Sequence, residues 1–348
     1  MQNFFLALLV FVPVAIGAHF LHISPTIVFF LCALAIVPLA KFIGEATEEL
    51  SSRTNSALGG LLNATFGNAT ELIIGIFALR AGLIEVVKAS ITGSIIGNLL
   101  LVLGFAMFAG GWKREKQSFN KTGAVAGGST LFLAVIALVM PAIFLLTAPT
   151  AGTRIIEHLS LWVSCALILM YLAGLFFSLR THKHLYTEEV GKYEPRWSVL
   201  RSVLTLLVAT LLVSWVSEIL VGAIEPLVLQ LGWTELFVGV IFIAIIGNAA
   251  EHASAITVAL KNRMDLALNI TIGSATQIAM LVAPLLVIIS LFFHSPMNLV
   301  FNIFELIAIV LSVLMVNLVV ADGESNWLEG AQLLIAYAII AVAFFFHP

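Results

Sequence analysis

The sequence predicts an all-α integral membrane protein of eleven transmembrane helices, one N-terminal helix followed by two inverted-topology repeats of five helices each. Three observations lead to this fold class. Of 348 residues, 61% are hydrophobic and only 10% are charged, whereas a soluble domain has about 25% charged residues. Eleven apolar runs approach or exceed the roughly 20 residues that a membrane crossing needs. A short motif that ends in glutamate occurs twice, 180 residues apart.

The eleven apolar runs follow one another with mostly short connections. They are residues 3–21, 25–50, 56–80, 83–109, 121–147, 155–180, 198–230, 234–260, 265–292, 298–320 and 327–346. The first run lacks a basic segment and a cleavage site, so a retained helix is expected rather than a signal peptide. The predicted domains are the extra helix 1–24, the first repeat 25–180, a cytoplasmic hydrophilic loop 181–197 and the inverted second repeat 198–348.

The distribution of lysine and arginine predicts the orientation. Twelve of these residues lie in loops on the N-terminal side of the membrane, and three, Arg80, Lys88 and Arg154, lie on the other side. Because cytoplasmic loops carry the excess of positive charge, the N-terminus is expected in the cytoplasm and the C-terminus on the opposite side. The short loops favour a prokaryotic plasma membrane.

The repeated motif defines the two halves. Residues 67–71 read Gly-Asn-Ala-Thr-Glu and residues 247–251 read Gly-Asn-Ala-Ala-Glu. The same offset of 180 aligns Gly93-Ser94 with Gly273-Ser274 one helix later. Since each half has five spans, the second half enters the membrane upside down relative to the first. Secondary transporters are built in this way, with the substrate site at the midplane where the halves meet.

The glutamates of the motif, Glu71 and Glu251, are the strongest candidate ligands. An ionisable residue in an apolar run is costly and marks a functional site by default, and no lysine or arginine lies in the middle of a predicted span. Asn63, Gly67, Glu71 and Gly75 share one helix face, and glycine there permits unwinding that frees backbone carbonyls. Carboxylate and carbonyl oxygens are the ligands of hard cations, above all Ca²⁺.

Neutral polar side chains are expected to line the same site, with ordinary hydrogen bonding between helices as the alternative. They are Asn68, Asn248, Ser94, Asn98, Ser274 and Gln277. Two carboxylates that share a site repel each other when both are ionised. The pair should therefore hold protons when no cation is bound and release them when a divalent cation arrives, which predicts cation/proton exchange.

Three further residues are candidates for proton relay or access. His252 stands where the first half has Leu72, and either a relay or simple packing would explain it. Glu45 and Glu225 are related by the same offset, and inverted symmetry places them at opposite mouths of the site. Alternatively, both residues simply lie at solvated helix ends. Glu48 and Glu49, at the end of the second span, are also expected at a solvated helix end.

The motifs resemble those of the cation/proton exchangers in the Ca²⁺/cation antiporter superfamily. The resemblance rests on residues 67–75 and 247–252 together with 93–98 and 273–277, and it extends over nearly the whole chain. It implies a Ca²⁺/H⁺ antiporter in which the carboxylates of Glu71 and Glu251 bind Ca²⁺ and protons in turn.

The same resemblance implies further ligands and moving parts. The backbone carbonyls at Gly67 and Gly247 would be Ca²⁺ ligands, spans 2 and 7 would slide as gates, and the central loop would form an acidic helix. That loop is short, and its glutamates are offset by basic residues, so regulation by Ca²⁺ there is not expected. Gln277 stands where an acidic residue could serve Na⁺, which favours proton coupling.

The expected partners are Ca²⁺, protons and the lipid bilayer, with no cofactor and no nucleic acid. Na⁺/Ca²⁺ exchange, monovalent cation/H⁺ exchange and a cation channel are the alternatives. An enzyme is not expected, because the chain has neither a His-Glu-x-x-His nor a Gly-x-Ser-x-Gly motif. Cys32 and Cys165 lie in apolar runs and are interpreted as small buried hydrophobic residues.

Overall fold

The computed structural model describes residues 2–54, 56–182, 195–293 and 295–347, and these are mostly helical. The helices are α1 (Gln2–Leu8), α2 (Phe11–Phe20), α3 (Pro25–Ser51), α4 (Ser56–Phe66), α5 (Ala69–Arg80), α6 (Ile84–Gly111), α7 (Lys121–Thr147), α8 (Thr153–Thr181), α9 (Val199–Leu231), α10 (Glu235–Leu260), α11 (Met264–Ser290), α12 (Ile303–Val319) and α13 (Trp327–Phe346). Two short strands, β1 (Gln117–Ser118) and β2 (Glu324–Ser325), pair antiparallel.

Eight of these helices are long and apolar enough to cross a membrane, namely α3, α6, α7, α8, α9, α10, α11 and α13. Two shorter apolar segments, Phe4–Phe20 and Ile303–Val319, accompany them. The half-helices α4 and α5 together cover the predicted span 56–80. The protein is therefore an integral, multi-pass membrane protein, and the total of eleven crossings stays a prediction.

Helix starts and ends follow from local sequence. The side chains of Asn120 and Ser198 accept hydrogen bonds from backbone N–H groups in the first turns of α7 and α9. Asn302 and Asn326 form capping boxes at the starts of α12 and α13. These caps satisfy N–H groups that have no partner within the helix. Helix α9 ends at Leu231 and is followed by Gly232, whose φ of 66° is a conformation that glycine adopts without strain.

The segments that follow α3, α6, α10 and α12, together with residues 195–198 before α9, lie at one end of the molecule, which we call the basic end. There the Gln117 side chain donates to the carbonyl of Ala259 and to Asn262 Oδ1, both at 3.0 Å. Lys116 lies 2.5 Å from Glu324 across the small sheet. The remaining loops lie at the opposite end.

The position of Lys88 differs from the one expected from the sequence. It is expected in a loop on the side opposite the N-terminus, but it lies inside α6 and is only 6% exposed. Its Nζ donates to the carbonyl of Val300 at 2.8 Å and to Asn298 Oδ1 at 3.2 Å. A buried ammonium is tolerated there because the segment before α12 supplies acceptors. The count of basic loop residues on the opposite side therefore falls from three to two.

The bounds of the elements recur at the offset of the sequence motif. Helix α6 begins at Ile84 and α11 at Met264, 180 residues later. Helices α3 and α9 end at Ser51 and Leu231, again 180 residues apart. Each of α6 and α11 also contains a π-helical segment, at Gly97–Val102 and Ile278–Val282. The two halves thus present the same irregularity at the same place, and π-helical turns are frequent at functional sites.

Candidate functional site

The two motif glutamates come together where α5 packs against α10. A Cβ atom placed on Gly247 would lie 2.9 Å from Cγ and 3.5 Å from Oε1 of Glu71, so only glycine leaves room for this side chain. Glu251 is close enough for its charge to act on Glu71. Within the described part of the chain, no group of three or more His, Cys, Asp or Glu side chains is arranged to hold a metal ion. The site therefore rests on two carboxylates and neutral neighbours.

In the first half, the helix is interrupted next to Glu71. Helix α4 ends at Phe66, Gly67 and Asn68 form a turn, and α5 starts at Ala69. Glu71 lies in the first turn of α5, where the partial positive charge of the helix terminus stabilises a carboxylate. The unwinding predicted at Gly67 is present.

In the second half, the equivalent helix is not interrupted. Helix α10 continues through Gly247 and Asn248, and its irregularity is a π-helical segment upstream, Val238–Ile243. The Asn248 amide donates to the Ala244 carbonyl at 2.8 Å, and Gly247 is buried against Glu71. These two contacts hold the stretch in its helical conformation. The unwinding that was expected at Gly247 by analogy with Gly67 is therefore absent, and Glu251 lies within a continuous helix.

The neutral polar residues form a buried network between the halves. Asn98 donates to Asn248 Oδ1 and to Ser274 Oγ, both at 3.0 Å. Ser94 accepts from the Asn248 amide at 2.9 Å, and Ser274 donates to Asn68 Oδ1 at 3.4 Å. All five side chains are 5% exposed or less. Five of the six predicted neutral residues are therefore brought together by helices from both halves.

The remaining neutral candidate and the carboxylates adjoin this network. Gln277 Nε2 lies 3.8 Å from the position that a Cβ on Gly67 would occupy, and Ser274 lies near the carboxylate of Glu251. Among the described residues, four buried polar atoms here have no hydrogen-bond partner: Oε2 of Glu71, Oε2 of Glu251, Oδ1 of Asn98 and Nδ2 of Asn68. Buried polar groups are normally paired. Three unpaired oxygens in one place suit a bound cation.

The site is open toward the basic end. Asn63, Gly67 and Gly273 are exposed, whereas Asn68 is buried. Toward the opposite end, Gly75 packs against Leu286, whose side chain would lie 2.9 Å from an added Cβ. Exposed residues therefore lie on the side of the site nearer the basic end, and closely packed residues lie on the other side.

The predicted access residues are spread along the helices. His252 is partly buried next to Glu251 in sequence. Glu45 pairs with Lys41 at 3.5 Å in the half of α3 nearer the basic end, and Glu225 is exposed in the half of α9 nearer the opposite end. Their roles in access stay predictions. The predicted acidic helix of the central loop falls mainly on residues 183–194, which lie outside the described residues.

Two buried glutamates were not predicted. Glu305 is 1% exposed and accepts hydrogen bonds from Thr92 and from the backbone of Asn302, both at 2.9 Å. The capping box before an apolar run could have identified it. Glu49 was expected at a solvated helix end, but it is also 1% exposed. That expectation is wrong, because the backbone just before α9 covers its carboxylate.

Removing the centre of the polar network should lower stability without removing a charge. Asn98→Ala leaves Asn248 and Ser274 each short of a hydrogen bond, which costs about 1–3 kcal/mol for buried groups. We expect a lower melting temperature for the purified variant in detergent. Ser129→Ala is the matched control, since the exposed Ser129 hydroxyl bonds only within its own helix. An unchanged melting temperature for Asn98→Ala would contradict the network.

The sequence profile of the sodium/calcium exchanger protein family matches residues 24–180 and 201–346. The chain belongs to this family. Among curated family members, a Ca²⁺/H⁺ antiporter of Synechocystis is 49% identical and aligns with 100% of this chain and 98% of the relative. The Bacillus subtilis Ca²⁺/H⁺ antiporter ChaA is 46% identical over 98% of both chains. A vacuolar calcium ion transporter of Schizosaccharomyces pombe is 40% identical over 100% of this chain and 86% of the relative.

Solved structures of similar proteins share the fold. Native YfkE superposes with a TM-score of 0.87 at 43% identity, covering 99% of this chain and 100% of YfkE; a second crystal structure describes YfkE as a Ca²⁺/H⁺ antiporter protein. The H⁺/Ca²⁺ exchanger CAX gives a TM-score of 0.70 at 18% identity, with 99% and 92% covered. At that identity the likeness shows the fold alone. The family is one of transporters.

Proposed function

We propose that this family member is a secondary active transporter that exchanges cytosolic Ca²⁺ for external protons. The observation that carries the proposal is the meeting of Glu71 and Glu251, each with an unpaired carboxylate oxygen, inside a buried polar network. The relatives named Ca²⁺/H⁺ antiporter support the choice of ions. One buried pair of carboxylates takes up either one Ca²⁺ or protons, and this alternative is the basis of exchange.

The donor set fits Ca²⁺, which takes six to eight oxygen ligands. Glu71 and Glu251 supply the charge, and Asn98 Oδ1 supplies a neutral oxygen. Backbone carbonyls at the turn of Gly67 complete the protein part of the proposed set in this conformation, with water entering from the open side. The Gly247 carbonyl is engaged within the continuous helix α10 here and would join the set where that stretch unwinds. When Ca²⁺ leaves, the repulsion between two close carboxylates favours their protonation.

We further propose that eleven segments cross the membrane, with residues 25–180 and 198–348 as inverted repeats and the N-terminus in the cytoplasm. The family profile matches two separate stretches of nearly these bounds. The recurrence of helix ends at one offset supports the same division. Basic residues cluster at the end to which the site is open, and that end would face the cytoplasm of a prokaryotic cell. Alternating access would then open the same site to the other face.

Ca²⁺ added to the purified protein should release protons, which a pH indicator in weak buffer measures. Because protons and Ca²⁺ compete for the same oxygens, the apparent affinity for Ca²⁺ should fall as the pH falls. Glu115→Gln, on an exposed loop residue, should leave the signal unchanged. Proton release by Na⁺ but not by Ca²⁺ would contradict the proposal and favour a monovalent cation/H⁺ exchanger.

A further inference from the structure

Helices α3 and α9 are joined by polar contacts at both of their ends. At the basic end, the carboxylate of Glu49 accepts hydrogen bonds from the backbone N–H groups of Arg196 at 2.9 Å and Trp197 at 3.0 Å. Arg53 at the end of α3 donates to the Trp197 carbonyl. Residues 196–197, which lead into α9, are thus held through their backbone by the last turn of α3. We call this contact the Glu49 clasp.

The Glu49 clasp is unusual in its burial. Glu49 is 1% exposed, while its neighbour Glu48 is exposed. Hydrogen bonds from two N–H groups fix the direction of the carboxylate, and they are stronger than neutral ones when the carboxylate is charged. Because the donors are backbone groups, the contact holds the position of the chain rather than one side-chain conformer. The clasp therefore fixes the start of α9 against the end of α3.

At the opposite end, a second contact joins the same two helices. Gln230 in the last turn of α9 accepts from the Thr26 hydroxyl at 2.6 Å and from the Ser24 hydroxyl at 3.3 Å. Both contacts have the same plan, since a side chain at the end of one helix binds the segment that begins the other. The second contact is exposed and uncharged, so the Glu49 clasp is the stronger of the two.

The other loops at the basic end are joined to one another. Gln117 holds the loop after α10, and the backbone N–H of Phe119 donates to the Gly323 carbonyl at 3.0 Å. Helices α3 and α9 also pack on other helices, α3 on α10 and α9 on α5, but the polar links that the described residues show there are weaker. Arg80 and Glu218 form an ion pair at 3.7 Å with both side chains more than half exposed, and exposed ion pairs contribute little. Ser51 hydrogen-bonds to α4, the next helix in the chain.

We propose that Glu49 is a positioning residue that couples α3 to α9, so that the two helices move as one unit while Ca²⁺ is exchanged. The inference rests on the proposed alternating access and names the contact that makes two helices from different repeats respond together. Glu49 does not touch the ions. Its loss should therefore slow the conformational step and leave the equilibrium binding of Ca²⁺ intact.

The test separates turnover from binding. In Glu49→Ala, Ca²⁺ uptake at saturating Ca²⁺ should fall by on the order of tenfold, because two charge-assisted hydrogen bonds are lost. Ca²⁺-dependent proton release from the purified variant should keep its wild-type midpoint. Glu49→Gln retains one acceptor oxygen and should be intermediate, which also covers the case in which the alanine variant does not fold. Glu48→Gln is the matched control one residue away and should transport like the wild type.

A distance measurement tests the coupling without relying on transport. Spin labels at Ser52 and Leu200, in a background in which Cys32 and Cys165 are replaced by alanine, report on the basic ends of the two helices, and both labelled positions are exposed. The distance distribution should be the same with Ca²⁺ and with chelator in the wild type and should broaden in the Glu49 variant that folds.

Wild-type turnover, an equal loss of binding, or an unchanged distribution in that variant would overturn the proposal. Failure of the proposed function would instead appear as no Ca²⁺-driven proton movement in the parent protein.

Discussion

Glu71→Gln and Glu251→Gln, each made alone, are expected to reduce Ca²⁺ uptake into inside-out vesicles to the level of vesicles without the protein. Each replacement keeps the shape of the side chain and removes its charge. A Ca²⁺ ion leaving water needs anionic ligands at the site, and an amide neither supplies that charge nor exchanges a proton. One glutamine should therefore abolish both halves of the exchange. Uptake is measured with an imposed pH gradient that is acidic inside the vesicles.

The stability of the same variants distinguishes a lost site from a lost fold. Replacing one of two buried, mutually repelling carboxylates with a neutral group should leave the melting temperature unchanged or raise it, because a buried charge is costly to maintain. The exposed Glu115→Gln serves as the matched isosteric control. Near-wild-type uptake by either Glu71→Gln or Glu251→Gln would refute the assignment of the site.

Gly247→Ala is expected to weaken the apparent affinity for Ca²⁺ by about tenfold while the protein still folds. The added Cβ would lie 2.9 Å from Cγ and 3.3 Å from Cδ of Glu71, closer than side-chain atoms pack, so the carboxylate must move by several tenths of an ångström. Ion sites need their ligands within about half an ångström of the productive geometry. The midpoint of Ca²⁺-dependent proton release measures the effect.

The control for this glycine is another helical glycine in the same half. A Cβ added to Gly222 would have no neighbour within 4 Å, so Gly222→Ala should keep the wild-type midpoint. If Gly247→Ala also keeps it, the contact between Glu71 and Gly247 does not position the ligand. A loss of folding in Gly247→Ala alone would instead indicate that the glycine serves helix packing.

Much of the fold could be predicted because long apolar runs in a membrane protein become helices with few alternatives. The ends of α3, α6 and α10 follow the predicted runs to within three residues. The burial of Lys88 and Glu49 could not be predicted in this way. Each sits near the end of an apolar run, where charged residues are usually solvated, and each is buried because a distant segment, at Val300 or Trp197, folds over it.

The site was predicted in its composition but not in its asymmetry. Asn68, Asn98, Asn248 and Ser274 were chosen because the offset aligned them or their neighbours, and the structure joins them in one network. The sequence of residues 247–251 nevertheless offers the same opportunity to unwind as that of residues 67–71. Whether a glycine in a helix unwinds depends on what packs against it, and this information is not local.

The interruption at Gly67, without a counterpart at Gly247, means that the two halves adopt different conformations of one sequence motif. In an inverted repeat, exchanging these conformations between the halves produces the state related by the two-fold axis in the membrane plane, open to the other side of the membrane. Residues 67–68 would then become helical and residues 247–248 would unwind. Glu251 would gain the helix terminus that Glu71 loses, so each glutamate would be the more strongly stabilised anion on one side of the membrane only. The order in which the two carboxylates accept protons would thus differ between the two access states.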